Sequence, residues 1–105
     1  MGTEMKKVSG LLLDIGSKQL CEEIELEITL TQTSNANGYP EITILAITNG
    51  FKPDLNGKSF LLKLQNIIEG KVGFNSKGVT EDTRTTFEIE FQDSLWLDPA
   101  WFKML

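Results

Sequence analysis

The chain has 105 residues, of which 40% are hydrophobic and 24% charged, a balance typical of a folded globular domain rather than a disordered chain. Ten basic residues are outnumbered by fifteen acidic ones, and the resulting net charge of -5 opposes binding to DNA, RNA and anionic membranes. Histidine is absent and cysteine occurs once, which removes the commonest general base and any intrachain disulfide. We therefore expect one domain, 1–105, without a nucleic-acid partner.

The beginning of the chain does not match a targeting or membrane segment. Lys6 and Lys7 precede Leu11, Leu12 and Leu13, as in a signal peptide, but the apolar run is short and ends at Asp14. No stretch approaches the ~18 apolar residues that a membrane-spanning helix requires. With the single cysteine, these features predict a soluble, cytoplasmic protein that does not enter a membrane.

The first predicted strand is SGLLLDIG, residues 9–16, where alternation places Leu11, Leu13 and Ile15 on one face and Leu12 on the other. The second is LCEEIELEITL, residues 20–30, which alternates more clearly. Its apolar face contains Leu20, Ile24, Leu26, Ile28 and Leu30, and its polar face contains Glu23, Glu25 and Glu27. A bulge near Glu22 and Glu23 would accommodate the one break in the period. We expect the glutamates to face solvent and the opposite face to be core.

The third predicted strand, EITILAIT at residues 41–48, is apolar on both faces. Ile42, Ile44 and Ala46 share one face, and Leu45 and Ile47 share the other. This pattern is typical of a central strand, or of a strand whose second face contacts something else. Leu45 and Ile47 are therefore predicted interaction residues.

Three further strands follow. KSFLLKLQ, residues 58–65, places Phe60, Leu62 and Leu64 inward, and TFEIEFQ, residues 86–92, does the same with Phe87, Ile89 and Phe91. Between them, IIEGKVGF at residues 67–74 reads as a strand of unclear register, with either "QN" or "EG" as the turn. The polar stretch NSKGVTEDT, residues 75–83, is predicted to be a long loop.

Asn-Gly pairs in SNANGYP, TNGF and DLNGK predict tight turns between these strands. No segment has the helical period needed for a crossover between parallel strands. The sequence therefore predicts an all-β fold, a small antiparallel β-barrel or sandwich of about six strands with a short C-terminal helical or extended tail.

The tail, DSLWLDPAWFKML, contains both tryptophans of the chain. Asp98 fits a helix N-cap and Pro99 the position after it, while Trp101 and Leu105 lie four residues apart on one helical face. So short a helix is stable only when docked. It can dock on its own barrel, on a second copy or on another protein. We expect DPAWFKML to close one end of its own barrel and part of its apolar surface also to meet a second copy. The predicted interaction residues of the tail are Trp96, Trp101, Phe102 and Leu105.

Residues suited to catalysis or metal binding form no persuasive pattern. Cys21 has no histidine to activate it and stands next to acidic residues. Glu23, Glu25 and Glu27, spaced at roughly 7 Å on a strand, have the chemistry to bind calcium or flank a glycosidic bond. Both roles require a concave, shielded site, whereas an exposed sheet face is flat. We therefore predict no catalytic residue, no cofactor and no metal site.

These observations favour a non-enzymatic interaction or assembly module that self-associates, with a dimer as the simplest form and a different protein partner as a further possibility. The alternative is a small oligonucleotide-binding-like or SH3-like barrel that binds a ligand or macromolecule, which rests on size and strand count alone. A carrier for a small apolar ligand and a carboxylate enzyme are the remaining hypotheses, and each has weaker support.

Overall fold

A computed structural model describes residues 2–32 and 40–105 of the chain. Its strands are β1 (Thr3–Leu13), β2 (Leu20–Thr31), β3 (Glu41–Ile47), β4 (Ser59–Leu64), β5 (Ile68–Val79) and β6 (Thr85–Phe91). Short 3-10 turns cover Pro53–Leu55 and Ser94–Leu97, and the helix α1 covers Ala100–Lys103. Within the described ranges, no helix has the length and apolar character needed to cross a membrane. The predicted turn in SNANGYP falls outside these ranges, which resume at Pro40.

The six strands form a closed antiparallel barrel in the order β1-β2-β3-β6-β5-β4. This confirms the predicted all-β class and strand number, and a barrel is found rather than an open sandwich. Leucine, isoleucine, valine and phenylalanine side chains from all six strands fill the interior as one hydrophobic core. A barrel this small is packed with side chains rather than hollow.

The barrel consists of two three-stranded meanders, β1–β3 and β4–β6, that are joined at two narrow seams. One seam pairs Leu11–Leu13 of β1 with Leu61–Lys63 of β4. The other pairs Leu45–Ile47 of β3 with Thr86–Glu88 of β6. Because the first seam is three residues long and β1 has eleven, residues Thr3–Gly10 pair with β2 on one side only in the described part of the chain.

Strand β2 follows its predicted alternation. Leu26 and Ile28 are 1% and 0% exposed, whereas Glu25 on the opposite face is exposed. Leu20 is the exception, at 62% exposed. Leu12 pairs with Glu22 and Leu13 with Leu20, so Cys21 is an extra residue in a bulge. The bulge lies slightly earlier than predicted and turns Leu20 away from the core.

Strand β1 differs from its prediction in extent, and the structure shows which of its faces is the core. It begins at Thr3 and ends at Leu13, before Ile15. Leu12 is in the core at 0% exposure, Leu13 is also buried at 8%, and Ile15 is 41% exposed. The inward positions are Lys6, Val8, Gly10 and Leu12, so a lysine and a glycine interrupt the apolar pattern. Gly10 is needed there, because a Cβ at this position would lie 2.8 Å from Cδ1 of Leu26.

Strand β5 is longer than predicted. Asn75–Val79, the first part of the predicted polar loop, continues the strand and pairs with β6 from Asn75 opposite Glu88 to Val79 opposite Thr85. These residues read as a loop because Asn75, Ser76 and Lys77 face solvent. A register shift between Ser76 and Gly78, which has φ +142°, lets the strand bend.

The other strands and turns agree with the sequence. Inward residues of β3, β4 and β6, such as Ile44, Leu62 and Phe87, are buried at 1%, 0% and 0% exposure. In the Asn-Gly pairs of TNGF and DLNGK, Gly50 and Gly57 adopt φ of +86° and +78°, as tight turns require. The β4–β5 turn uses "QN" rather than "EG".

Candidate interaction surface

The C-terminal segment, Asp93–Leu105, contains four of the predicted interaction residues. The structure places three of them in the chain's own core: Trp96, Trp101 and Phe102 are 1%, 5% and 0% exposed. Trp96 stacks on Phe91 with ring centroids 5.4 Å apart, and Trp101 meets Trp96 edge-on at 5.3 Å. Of the docking sites considered for the tail, its own barrel therefore takes the aromatic side chains.

Hydrogen bonds fix these indole rings in place. Nε1 of Trp96 donates to the carbonyl oxygen of Lys71 on β5 at 3.1 Å, and Nε1 of Trp101 donates to the carbonyl oxygen of Trp96 at 3.1 Å. A glycine on β5 makes room for the first ring, since a Cβ at Gly70 would lie 2.6 Å from Nε1 of Trp96. Both tryptophans thus bury their rings and satisfy their N–H groups.

The helical turn is held at both ends. The helix begins at Ala100 with Pro99 at the N-cap position, so the predicted start, with Asp98 as N-cap and Pro99 as the first helical residue, is one residue too early. Asp98 Oδ1 nevertheless accepts a hydrogen bond from the N–H of Ala100 at 3.0 Å. At the other end, Nζ of Lys6 donates to the main-chain oxygens of Phe102 and Leu105 at 2.8 and 3.2 Å. The same ammonium lies 4.6 Å from the centroid of the Phe102 ring. Lys6 of β1 is thus the cation that complements this helix terminus.

Other side chains of the C-terminal segment are apolar and accessible. Leu97, Met104 and Leu95 are 76%, 64% and 40% exposed, and Leu105 is half-buried. Beside Leu97 lies a shallow cavity of about 230 Å³, lined by Pro40, Glu41, Ile42, Phe91 and Trp96. The segment therefore presents exposed aliphatic side chains on a backbone that its aromatic residues hold rigidly.

The remaining two predicted residues, Leu45 and Ile47, lie on the outer face of β3. Both are half-buried, and neither contributes to the interior. Glu27 and Glu88 flank Leu45 on the neighbouring strands, and Glu25 and Thr86 flank Ile47. The structure does not bring these two residues together with the C-terminal segment into one pocket.

Ion pairs surround this outer face. Lys7 pairs with Glu27 at 3.8 Å, and Lys77 pairs with Glu88 at 3.0 Å. Arg84 reaches Glu25 at 3.1 Å from the β5–β6 turn.

Asp82, also in the β5–β6 turn, orients the arginine. A hydrogen bond from the Thr80 hydroxyl, with Arg84 alongside, holds the pKa of Asp82 below its usual value. Asp82 in turn raises the pKa of the Arg84 guanidinium.

A cavity of about 350 Å³ opens between these charges. Its lining consists of Lys7, Val8, Ser9, Glu25, Leu26, Glu27, Ile47 and Arg84. The two basic side chains are each paired with one of the two glutamates. The cavity therefore has no surplus positive charge with which to attract a phosphate backbone.

The groups considered for catalysis or metal binding are dispersed. Across residues 2–32 and 40–105, no three or more Asp, Glu, Cys or His side chains cluster in a way that would hold a metal ion. Cys21 is exposed, with its Sγ 3.7 Å from the carbonyl oxygen of Gln19.

Sequence reasoning did not identify the N-terminal half of β1 as part of the surface. Met5 is 53% exposed, next to Lys6, which holds the C-terminal segment. The stretch TEMKKVS has no apolar alternation that would have marked a strand. The one indication of a strand in this stretch is Val8, an apolar residue between polar neighbours.

Comparison of the chain with protein-family models, with curated proteins and with solved structures gives no match.

Proposed function

We propose that the chain is a non-enzymatic interaction module that forms a dimer through the exposed apolar side chains of its C-terminal segment, Leu95, Leu97 and Met104. It acts in the cytoplasm, where an exposed, unpaired thiol such as that of Cys21 stays reduced. The observation that carries the proposal is that Leu97 is 76% exposed on a segment whose aromatic residues are fully used in the core.

Burial of these side chains stabilises an interface in proportion to the apolar area removed from water, at roughly 25 cal/mol per Å². The cost of ordering is small, because the segment is already held by Trp96, Trp101 and Lys6. In a two-fold dimer each contact occurs twice. The favourable free energy of dimerisation from a small apolar patch is therefore doubled.

The experiment compares two double variants with matched changes in charge and exposure. Leu97→Glu with Met104→Glu places two carboxylates on the proposed interface. Leu20→Glu with Phe51→Glu places two carboxylates on side chains that are 62% and 63% exposed elsewhere on the barrel. Light scattering after size exclusion should give a monomer for the first variant and a dimer for the second. A dimer from the first, or a monomer from the second alone, would contradict the proposal.

A second candidate function is a barrel that binds a polar ligand, in line with the oligonucleotide-binding-like or SH3-like alternative. It is supported by the 350 Å³ cavity on the outer face of β1–β3, which lies within the usual size range of ligand sites. A ligand there would have to compete with the Arg84–Glu25 and Lys7–Glu27 pairs. Paired charges favour a zwitterionic or peptide ligand over a nucleic acid.

A further inference from the structure

The edge of β1 that faces away from β2 carries main-chain N–H and C=O groups. The pairing of β1 with β2 shows which residues point these groups outward. Gly2 lies opposite Gln32, whose N–H donates to the carbonyl oxygen of Gly2 at 2.9 Å. Because such pairs alternate along an antiparallel ladder, the even-numbered residues of β1 bond to β2. The N–H and C=O groups of Thr3, Met5, Lys7 and Ser9 therefore point the other way. On that side β4 meets β1 only at Leu11–Leu13.

This edge is extended, regular and accessible. Thr3, Glu4, Met5, Lys7 and Ser9 are all exposed. The pairing of β1 with β2 runs without a register shift from Thr3 opposite Thr31 to Gly10 opposite Ile24. No proline interrupts the stretch. Among residues 2–32 and 40–105, no strand pairs with this side of Thr3–Gly10, and an unpaired edge is a template for pairing with another strand.

We propose that this edge pairs with the same edge of a second copy, so that two β1 strands run antiparallel about a two-fold axis at Met5. The two β1–β3 meanders then form one continuous six-stranded sheet across the dimer. This inference rests on the proposed self-association and specifies its geometry. Thr3, Met5 and Lys7 of each copy supply the main-chain hydrogen bonds between the two chains.

Charge selects the position of the axis. An axis at Glu4, Lys6 or Lys7 would place identical charges directly opposite each other, which destabilises a strand pair. An axis at Val8 would place Met5 opposite Leu11, which is already paired with β4, and would give Lys6 and Lys7 no acidic partner. With the axis at Met5, Glu4 faces Lys6 of the second copy and Thr3 faces Lys7 of the second copy. An axis at Thr3 would form fewer residue pairs between the two strands and would not place Glu4 opposite Lys6 of the second copy.

The same axis brings the C-terminal segments together. Lys6 is on the inward face of β1, and its Nζ lies 3.2 Å from the main-chain oxygen of Leu105. The end of the C-terminal segment therefore lies near Lys6, on the inner side of β1. A two-fold axis at Met5 places the two Lys6 residues close to the axis and on the same side of the joined sheet, so the ends of the two C-terminal segments lie on that side as well. Lys6 donates two hydrogen bonds to the C-terminal segment and lies 4.0 Å from the carboxylate of Glu4 in its own chain, and in the proposed dimer Glu4 of the second copy adds a second carboxylate beside the same ammonium.

The first test introduces a negative or a positive charge at position 3. Thr3 lies opposite Lys7 of the second copy in the proposed register. Thr3→Glu should lower the dimer dissociation constant and Thr3→Lys should raise it, each by roughly two- to tenfold, since each pair occurs twice. Sedimentation velocity at several protein concentrations measures both. A general charge effect in an acidic chain would give the opposite order, because Thr3→Glu increases the net negative charge. That opposite order, or no difference, would overturn the pairing.

The second test removes one main-chain donor. Met5→Pro deletes an N–H that faces the edge and leaves the β1–β2 bonds intact, whereas Met5→Ala retains the N–H and loses the same side chain. Met5→Pro should be a folded monomer by circular dichroism and mass, and Met5→Ala should remain a dimer. If Met5→Pro does not fold, the dissociation constants of the Thr3 variants decide whether the two β1 edges pair.

The outcomes separate the two proposals. A wild-type chain that stays monomeric would overturn the self-association and the pairing together. A dimer that is disrupted by Leu97→Glu with Met104→Glu, but unaffected by Met5→Pro and the Thr3 variants, would overturn the strand pairing alone.

Discussion

The two faces of β2 have different roles, because Leu26 lies in the core and Glu25 faces solvent. Substitutions of these two residues should therefore differ in their effect on stability. Leu26→Ala should lower the free energy of unfolding by about 2–5 kcal/mol, because it leaves a cavity among fully buried neighbours. Glu25→Gln should change it by less than ~1 kcal/mol, since its pair with Arg84 is solvent-exposed. Urea denaturation followed by tryptophan fluorescence measures both. Equal effects from the two substitutions would contradict the assigned facing.

Gly70 is a residue whose small size determines where Trp96 can lie. Gly70→Ala adds a Cβ at 2.6 Å from Nε1 of Trp96, so the ring must move and weaken its hydrogen bond to Lys71. We expect a loss of about 1–3 kcal/mol, as for other overpacked sites, with a red shift of tryptophan emission. Gly16→Ala is the control, because its nearest contact is an ordinary 3.4 Å. A Gly70→Ala protein as stable as this control would argue against the tight packing.

At the scale of elements, the C-terminal segment depends on β1 for its last turn. Lys6→Met keeps the length of the side chain but removes the ammonium that bonds to Phe102 and Leu105. This should cost about 1–3 kcal/mol. Lys7→Met, at the next residue, removes only an exposed pair with Glu27 and should cost less than ~1 kcal/mol.

Both lysine substitutions are best measured in the Met5→Pro background, which we expect to be monomeric, so that dimerisation does not contribute to the free energy of unfolding. If Lys7→Met proved as costly as Lys6→Met, the anchoring role of Lys6 would be wrong.

The elements that could be predicted are those whose interior positions are all apolar. β2 and β6 have isoleucine, leucine or phenylalanine at alternate positions, so their inward faces follow directly from the period of two. In β1 the interior positions include Lys6 and Gly10, whose suitability depends on the distant residues Phe102 and Leu26. The end of β5 is polar because it faces solvent, and its pairing with β6 is invisible to a local pattern.

The candidate surface could be predicted only in part. The apolar excess of the tail is evident in the sequence, but which of its side chains turn inward depends on Gly70, Lys71 and Lys6 from other elements. The free edge of β1 is a consequence of how the barrel closes, since it exists because the seam with β4 begins at Leu11. Closure is a non-local property that no single segment encodes.

At the scale of the whole molecule, the aromatic residues of the C-terminal segment complete the core, while its aliphatic residues and the β1 edge remain accessible. We propose that this accessible surface joins two copies of the chain. Sedimentation equilibrium of the unmodified chain measures the mass of the species in solution without assumptions about shape. We expect twice the chain mass of 11.8 kDa at micromolar concentrations. A single species of 11.8 kDa throughout that range would contradict it.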